Sequence, residues 1–464
     1  MNLLYGLLAL LYFCCNCPCL AFAKSPSYSS LHKNVAVVQG PSEINMPEKE
    51  WTFIVYMAAD NDLRRFAHEN LAQMVEVGSS DLCNIVVDLH TRLRNSTKVS
   101  RQYFVEKNQL VRINQKTTEQ PKDSGDYRTL IDNYNSLAQQ FPARNYGLIL
   151  WNHGSGVEEP GKGQGPVINT SQLFVLNPVT NKLEIDRSIP FFDLLSIRDL
   201  SHRALCWDDR TGNFISNAEL KIALSSITQY GLNGKRLAIF GCDTCLSSMF
   251  EIACIAKDYA DYMVSSQELE PGTGWNYSYI LEPLAHINIS PKQLAQHIVE
   301  SYNRAYQSIT DDYTLSAIDL SLMHNLEDNV NQVAHLLHQS IIEQLSSSVK
   351  QAIRNSIHKT NCIHFANPNY KDLYTIYSNL LANLSKFNFR EAHTGAQLVS
   401  QLTQLLEQGK YIIERAIIAN AVGNSLKQAR GISIYCPDSR VHSSYHNLFA
   451  QNPWANFLSH YLLR

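Results

Sequence analysis

The sequence is short of charge. Asp, Glu, Lys and Arg make up only 17% of its 464 residues, and 39 basic against 42 acidic residues leave a formal net charge of −3. No run of like charge reads as a basic arm or an acidic tail, so the electrostatic footprint of a nucleic-acid partner is missing. Glycine and proline are also sparse, with 20 and 16 residues, which excludes collagen-like and low-complexity chains. A hydrophobic fraction of 45% excludes a wholly disordered one. Past residue 23 no apolar stretch is long enough to cross a bilayer, and there is no internal repeat. What remains is an ordinary globular chain. At roughly 100–200 residues per domain, its length suits two to four domains, or one large core with additions.

Residues 1–23 contain no Asp, Glu, Lys or Arg. An apolar run from Leu3 to Phe13 leads to Ala21-Phe22-Ala23, a small-residue cleavage signature before Lys24. This reads as a secretory signal and implies a secreted or periplasmic protein with no membrane contact after signal removal. A retained anchor is the alternative, although Asn16 and Pro18 interrupt the run. Four of the 11 cysteines fall in this segment, leaving Cys83, Cys206, Cys242, Cys245, Cys254, Cys362 and Cys436. They are too few for a disulfide scaffold, and their odd number leaves at least one thiol unpaired. Reactive chemistry is one reason to keep such a thiol.

Residues 24–50 read as a mostly disordered leader or propeptide with one short apolar patch, Val35–Val38. From residue 51, apolar runs at Thr52–Ala58, Asn84–Leu89, Tyr146–Trp151, Arg236–Phe240 and Tyr262–Ser265 have the continuous character of strands buried on both faces. Helical patterns at Asn61–Val77, Tyr127–Gln140, Ser216–Thr228 and Leu246–Tyr259 alternate with them, and Ser216 with Glu219 forms a capping box. This alternation predicts an α/β fold, a three-layer α/β/α sandwich around a mostly parallel sheet spanning residues 51–285. A mainly helical C-terminal region, 286–464, opens at Ser290-Pro291. It contains further helical stretches at Asn325–Ser346, Asp372–Leu384 and Thr394–Leu406, and a late strand near residues 431–435.

Two predicted strands end in residues able to do chemistry. Tyr146–Trp151 runs into Asn152-His153-Gly154, and Arg236–Phe240 runs into Gly241-Cys242-Asp243-Thr244-Cys245, which is expected to open a helix. In parallel sheets, ligands sit beyond the carboxyl ends of the strands. If these strands are neighbours, His153 and Cys245 face one another as base and nucleophile. A helix start at Cys245 would favour its thiolate. Gly154, lacking a side chain, could bring its N–H close enough to hold an oxyanion. Competing readings are an inert buried cysteine, a structural histidine, or a thiol–disulfide oxidoreductase using Cys242-x-x-Cys245. No second Cys pair completes a zinc site, and His335-x-x-His338 has no evident third ligand.

At these residues the chain resembles the clostripain-like cysteine peptidases, relatives of the caspase, legumain and gingipain fold. The matching segments are Phe53–Asp62 (FIVYMAADND), Tyr146–Gly156 (YGLILWNHGSG), Ala238–Leu246 (AIFGCDTCL), Ser265–Trp275 (SSQELEPGTGW), Thr314–Asp319 (TLSAID) and Gly431–Pro437 (GISIYCP). The resemblance implies a caspase-like sheet, and His153 and Cys245 as a dyad without an essential third acid. It also implies Asp243 in the pocket for a basic side chain, and a substrate-binding loop carrying Glu268, Thr273 and Trp275. Thr273 stands where some relatives carry an acid. Asp243 could alternatively cap a helix begun by Thr244.

The expected activity is cleavage of protein or peptide substrates after Arg or Lys. Self-processing is expected between His153 and Cys245, where Lys162, Lys182, Arg187, Arg198 and Arg203 are candidate points. The chemistry requires no cofactor. Calcium enters through the resemblance alone, because no EF-hand spacing is present. A catalytically inactive, peptidase-like binding protein is the remaining alternative.

Overall fold

The structure, a computed structural model, describes the backbone of residues 36–37 and residues 47–113, 120–162, 173–186, 204–345, 347–449 and 451–462. The signal segment, most of the leader, and Arg187, Arg198 and Arg203 lie outside the described residues. The strands in chain order are β1 (Ala36–Val37), β2 (Lys49–Ala59), β3 (Cys83–Arg92), β4 (Lys98–Glu106), β5 (Gln109–Ile113), β6 (Ala143–Trp151) and β7 (Phe174–Leu176). They continue with β8 (Leu183–Ile185), β9 (Leu237–Asp243), β10 (Ala260–Ser265), β11 (Thr314–Asp319), β12 (Tyr370–Asp372), β13 (Ile417–Val422) and β14 (Ser433–Tyr435).

Ten of these strands form one sheet in the order β1-β5-β4-β3-β2-β6-β9-β10-β11-β13. The central five, β3 through β10, run parallel. The flanking β3–β4, β4–β5, β10–β11 and β11–β13 pairs are antiparallel. The sheet is therefore mixed, mostly parallel at its centre, and covered by helices on both faces.

β2 shows why both faces are covered. Ile54, Tyr56 and Ala58 join one apolar cluster, while Phe53, Val55, Met57 and Ala59 join another on the opposite face. A strand apolar at every position needs a cover on each side, and each such side chain contributes about 1.5–3 kcal/mol when buried. Helices Arg64–Val77, Tyr277–His286 and Pro291–Tyr306 cover the second face. Helices Tyr127–Gln140, Asn217–Ser226 and Phe250–Ala256 cover the first, joined there by the C-terminal helices Met323–Glu343, Leu373–Asn383 and Ala392–Ala416.

The C-terminal region also completes the sheet, since β11 and β13 both come from beyond residue 286. The expected late strand is β14. It pairs antiparallel with β12 in a separate two-stranded sheet and touches the core through a bridge between Met249 and Ser433. The leader's apolar patch supplies β1, which pairs parallel with β5 at the sheet edge.

Parallel strands deliver their carboxyl ends to one edge of the sheet. Asp60-Asn61-Asp62 follows β2, Asn152-His153-Gly154 follows β6, Thr244-Cys245 follows β9, and the loop 266–275 follows β10. β2, β6 and β9 are adjacent, with Met57 opposite Trp151 and Trp151 opposite Asp243. These four turns are brought together by the sheet register.

Candidate active site

A small cleft opens at this edge, lined by Leu63, Trp151, His153, Asp243, Cys245, Glu270 and neighbouring loop residues. Its two walls are the β6 and β9 turns, tied by the Asn152 N–H donating to the Asp243 carbonyl at 3.3 Å. Gly154 lies against the other turn. A Cβ there would come within 2.3 Å of the Cys245 carbonyl oxygen and 3.0 Å of the Thr244 side chain. Only a residue without a side chain lets the two turns approach this closely. Gly154→Ala should therefore push the two turns apart and lower the thermal midpoint of unfolding, and an unchanged midpoint would show that the contact is irrelevant.

The β9 turn is not a helix start. The helix that follows begins at Phe250, five residues past Cys245, and is only seven residues long. The intervening residues spend their hydrogen bonds on neighbouring segments. Leu246 takes a left-handed conformation at φ 58° and donates to the Glu268 carbonyl, while Ser248 donates to the Ser266 carbonyl. The thiol therefore does not sit at a helix N-terminus, and Asp243 does not cap a helix. Instead the Cys245 Sγ accepts the Glu270 N–H at 3.3 Å. Burial, followed by the nearby carboxylates Glu270, Glu268 and Asp243, pushes the thiol up to about 12 against the help of that bond.

Across the cleft His153 is buried, and burial lowers its imidazole to about 4. Its Nε2 lies 2.8 Å from the Asp62 Oδ1. Burial thus opposes charge on both the Cys245 thiol and the His153 imidazole. Asn152 holds the turn beneath the imidazole. Its Oδ1 accepts the Trp207 N–H at 3.0 Å, and its Nδ2 donates to the Trp207 carbonyl at 3.3 Å and to the Ala58 carbonyl.

The floor of the cleft carries two carboxyl groups. Asp243 accepts the Tyr277 hydroxyl at 2.8 Å and the Trp275 N–H at 3.2 Å. Gly274, at φ 59°, wraps closely around it. Glu270 lies nearby, buried, with no hydrogen-bond partner at normal geometry on either oxygen among the described residues. Burial raises both groups, and the charge of Asp243 raises Glu270 further. Two buried carboxyls side by side oppose one another's ionisation, and a cation placed between them would relieve that opposition.

The clostripain family model matches residues 55–168 and 194–460, most of the chain. The chain belongs to the clostripain family of cysteine peptidases. Its fold is similar to that of a secreted C11 cysteine protease from Bacteroides thetaiotaomicron in complex with an irreversible peptide inhibitor. That match has 18% identity, 88% of this chain and 99% of the other covered, and a TM-score of 0.55. An inactive zymogen C11 protease from Parabacteroides distasonis is similar at 17% identity, 89% and 99% coverage, and a TM-score of 0.57. At such identities the likeness is one of fold. A search of curated protein sequences gives no significant match.

Within this clostripain-family chain the loop 266–275 distributes its residues differently from expectation. Glu268 turns away from the cleft, its Oε1 accepting the N–H groups of Leu269 and Ala366. Thr273 bonds the Tyr306 hydroxyl at 2.7 Å and contributes no side chain to the cleft lining. The Trp275 ring is buried and packs on Gly241, while only its backbone reaches Asp243. Glu270 occupies the lining instead. Residues 268 and 270 are two apart and would share a face in an extended strand, so it is the bend at 267–268, which no sequence pattern marks, that sends them to different sides.

Cys242 points into the apolar core beside Phe240 and Leu246, away from Cys245's cleft. The acidic groups Asp60 and Asp208 are bridged by Lys98, and Arg92 pairs with Asp60 and Asp209. Cations of the chain itself therefore fill the most acid-rich corner. Among the described residues no group of three or more His, Cys, Asp or Glu is arranged to hold a metal ion.

Proposed function

We propose that this chain is an exported cysteine endopeptidase that cleaves after Arg or Lys, with Cys245 as nucleophile and His153 as base. The observation that carries the reading is one cleft lined by a thiol, an imidazole and a buried pair of carboxyl groups. The imidazole takes the thiol proton as Sγ attacks the carbonyl carbon. The Gly154 N–H steadies the oxyanion, and the imidazolium returns the proton to the leaving amine. Water, deprotonated by His153, then splits the thioester and regenerates the thiol. The substrate's guanidinium or ammonium reaches Asp243 and Glu270, where a charge-assisted bond replaces an otherwise unsatisfied buried carboxyl.

Self-processing between His153 and Cys245 is part of this reading. Lys182 lies in the β7–β8 hairpin with its ammonium 2.7 Å from Asp311, and Lys162 pairs with Glu219 at 2.9 Å. The test is mass spectrometry of purified protein with and without an Arg-chloromethylketone. The expected result is loss of residues 1–23, two chains arising from one cut after a basic residue in the interval, and a label on Cys245. An intact chain labelled elsewhere would overturn the proposal.

A further inference from the structure

The Nε2 atom of His153 is 2.8 Å from the Asp62 Oδ1, and both side chains are largely buried, 11% and 13% exposed. A carboxylate can only accept hydrogen bonds, so the ring nitrogen facing it must carry the proton. This leaves the lone pair of the neutral imidazole on Nδ1. Asp62 reaches the ring from an independent element, the turn after β2, whose conformation is held by its neighbour. Asn61 accepts the Leu63 N–H at 3.0 Å and donates to the Ala58 and Trp207 carbonyls, both at 3.1 Å. Asn61 thus supplies side-chain hydrogen bonds that shape the turn from which Asp62 reaches the ring.

We infer that Asp62 is a positioning residue for the His153 base, fixing its Nε2–H tautomer so that Nδ1 faces the thiol and balancing the charge when the imidazolium forms. The dyad of the resemblance becomes, in this chain, a chain of three groups: Asp62 carboxylate, His153 ring, Cys245 sulfur. In the attack step the thiol proton moves to Nδ1, the Nε2–H stays with the ring, and Asp62 keeps its charge throughout. When the amine leaves, the Nδ1 proton goes with it. The inference rests on the peptidase reading for its catalytic consequence, but not for the hydrogen bond itself.

The two can be tested separately. Nitrogen-15 histidine spectra, with His153 identified by comparison with His153→Ala, should show the wild-type ring protonated on Nε2. In Asp62→Ala that ring should become a mixture of tautomers. Hydrolysis of an Arg-aminomethylcoumarin peptide by Asp62→Ala should fall roughly 100-fold in kcat with KM changed less than about twofold, as when a base loses its orientation. Asp62→Asn, whose amide can donate to Nε2 and favour the opposite tautomer, should lose at least as much in kcat. Thermal midpoints of both variants should match wild type, because Asn61 holds the turn. A wild-type ring protonated on Nδ1, or an Asp62→Ala kcat within twofold of wild type, would overturn the inference. A folded wild type with the Nε2–H tautomer but no turnover would sink the peptidase reading and leave the hydrogen bond standing.

Discussion

Cys245→Ala should abolish turnover, lowering kcat on an Arg- or Lys-aminomethylcoumarin peptide by about 10⁴-fold or more, with folding intact. Removing a nucleophile from a unit that acts together typically costs on that order, and what survives is the residual help of oxyanion binding and substrate placement. The side chain is half-buried and its Sγ receives one hydrogen bond, so its loss leaves only a small gap at the cleft wall. His153→Ala should fall into the same range, and the double variant should be little worse than either single one. If Cys245→Ala retains wild-type turnover, the thiol is a packing residue and the catalytic account is wrong.

The second large effect concerns the charge of the substrate. Burial pushes the thiol up to about 12 and lowers the imidazole to about 4, so the cleft without substrate opposes a thiolate–imidazolium pair. The carboxyl groups of Glu270 and Asp243 oppose the thiolate as well. A cation bound between them would cancel that opposition, so the residue before the scissile bond should act on kcat as well as KM. Replacing a P1 arginine by neutral citrulline should lower kcat/KM roughly 10³-fold, more than a single lost charge-assisted bond of about 1.5–3 kcal/mol would explain.

Asp243→Asn should erase most of the difference between the two substrates, with Glu270→Gln showing a smaller effect. The pH dependence follows in sign. Acid protonates the upward-shifted Asp243 and removes the charge that holds the cation, so kcat/KM for basic peptides should fall as pH drops toward the acid side. That limb should flatten in Asp243→Asn. Equal kcat for arginine and citrulline substrates would show that the floor carboxyls bind without activating.

The central fold was legible because a strand covered on both faces must be apolar at every position. The runs at Thr52–Ala58 and Tyr146–Trp151 therefore fall within β2 and β6. β13 was hidden because it follows the 25-residue helix Ala392–Ala416 without a break, so no turn signal marks where the strand begins. The segment Leu246–Met249 misled for a related reason. Its residues are apolar or small as in a first helical turn, yet their N–H groups are claimed by the carbonyls of Ser266 and Glu268 in the next loop.

Within the cleft, His153 and Cys245 stood out because each follows an apolar strand in a small-residue turn. Asp62 and Glu270 did not, since their significance lies in pairings across 91 residues and between adjacent loops. FIVYMAADND contains Asp62, but no periodicity says which of its two aspartates turns toward the histidine. The presence of Asn152 beside His153 was equally silent about its grip on Trp207.

The sheet order carries a consequence for the protein once nicked. Six of the ten strands, β1 through β6, precede the interval between His153 and Cys245, and the other four follow it, so the seam between the two groups is the β6–β9 ladder. Five residue pairs cross that ladder, and the Asn152–Trp207 clasp sits at its end. A severed backbone would therefore stay assembled as a two-chain particle, each piece capping the other's raw β-edge. Its survival after full denaturation would then depend on protein concentration, because two separate molecules would have to meet before the central ladder could re-form.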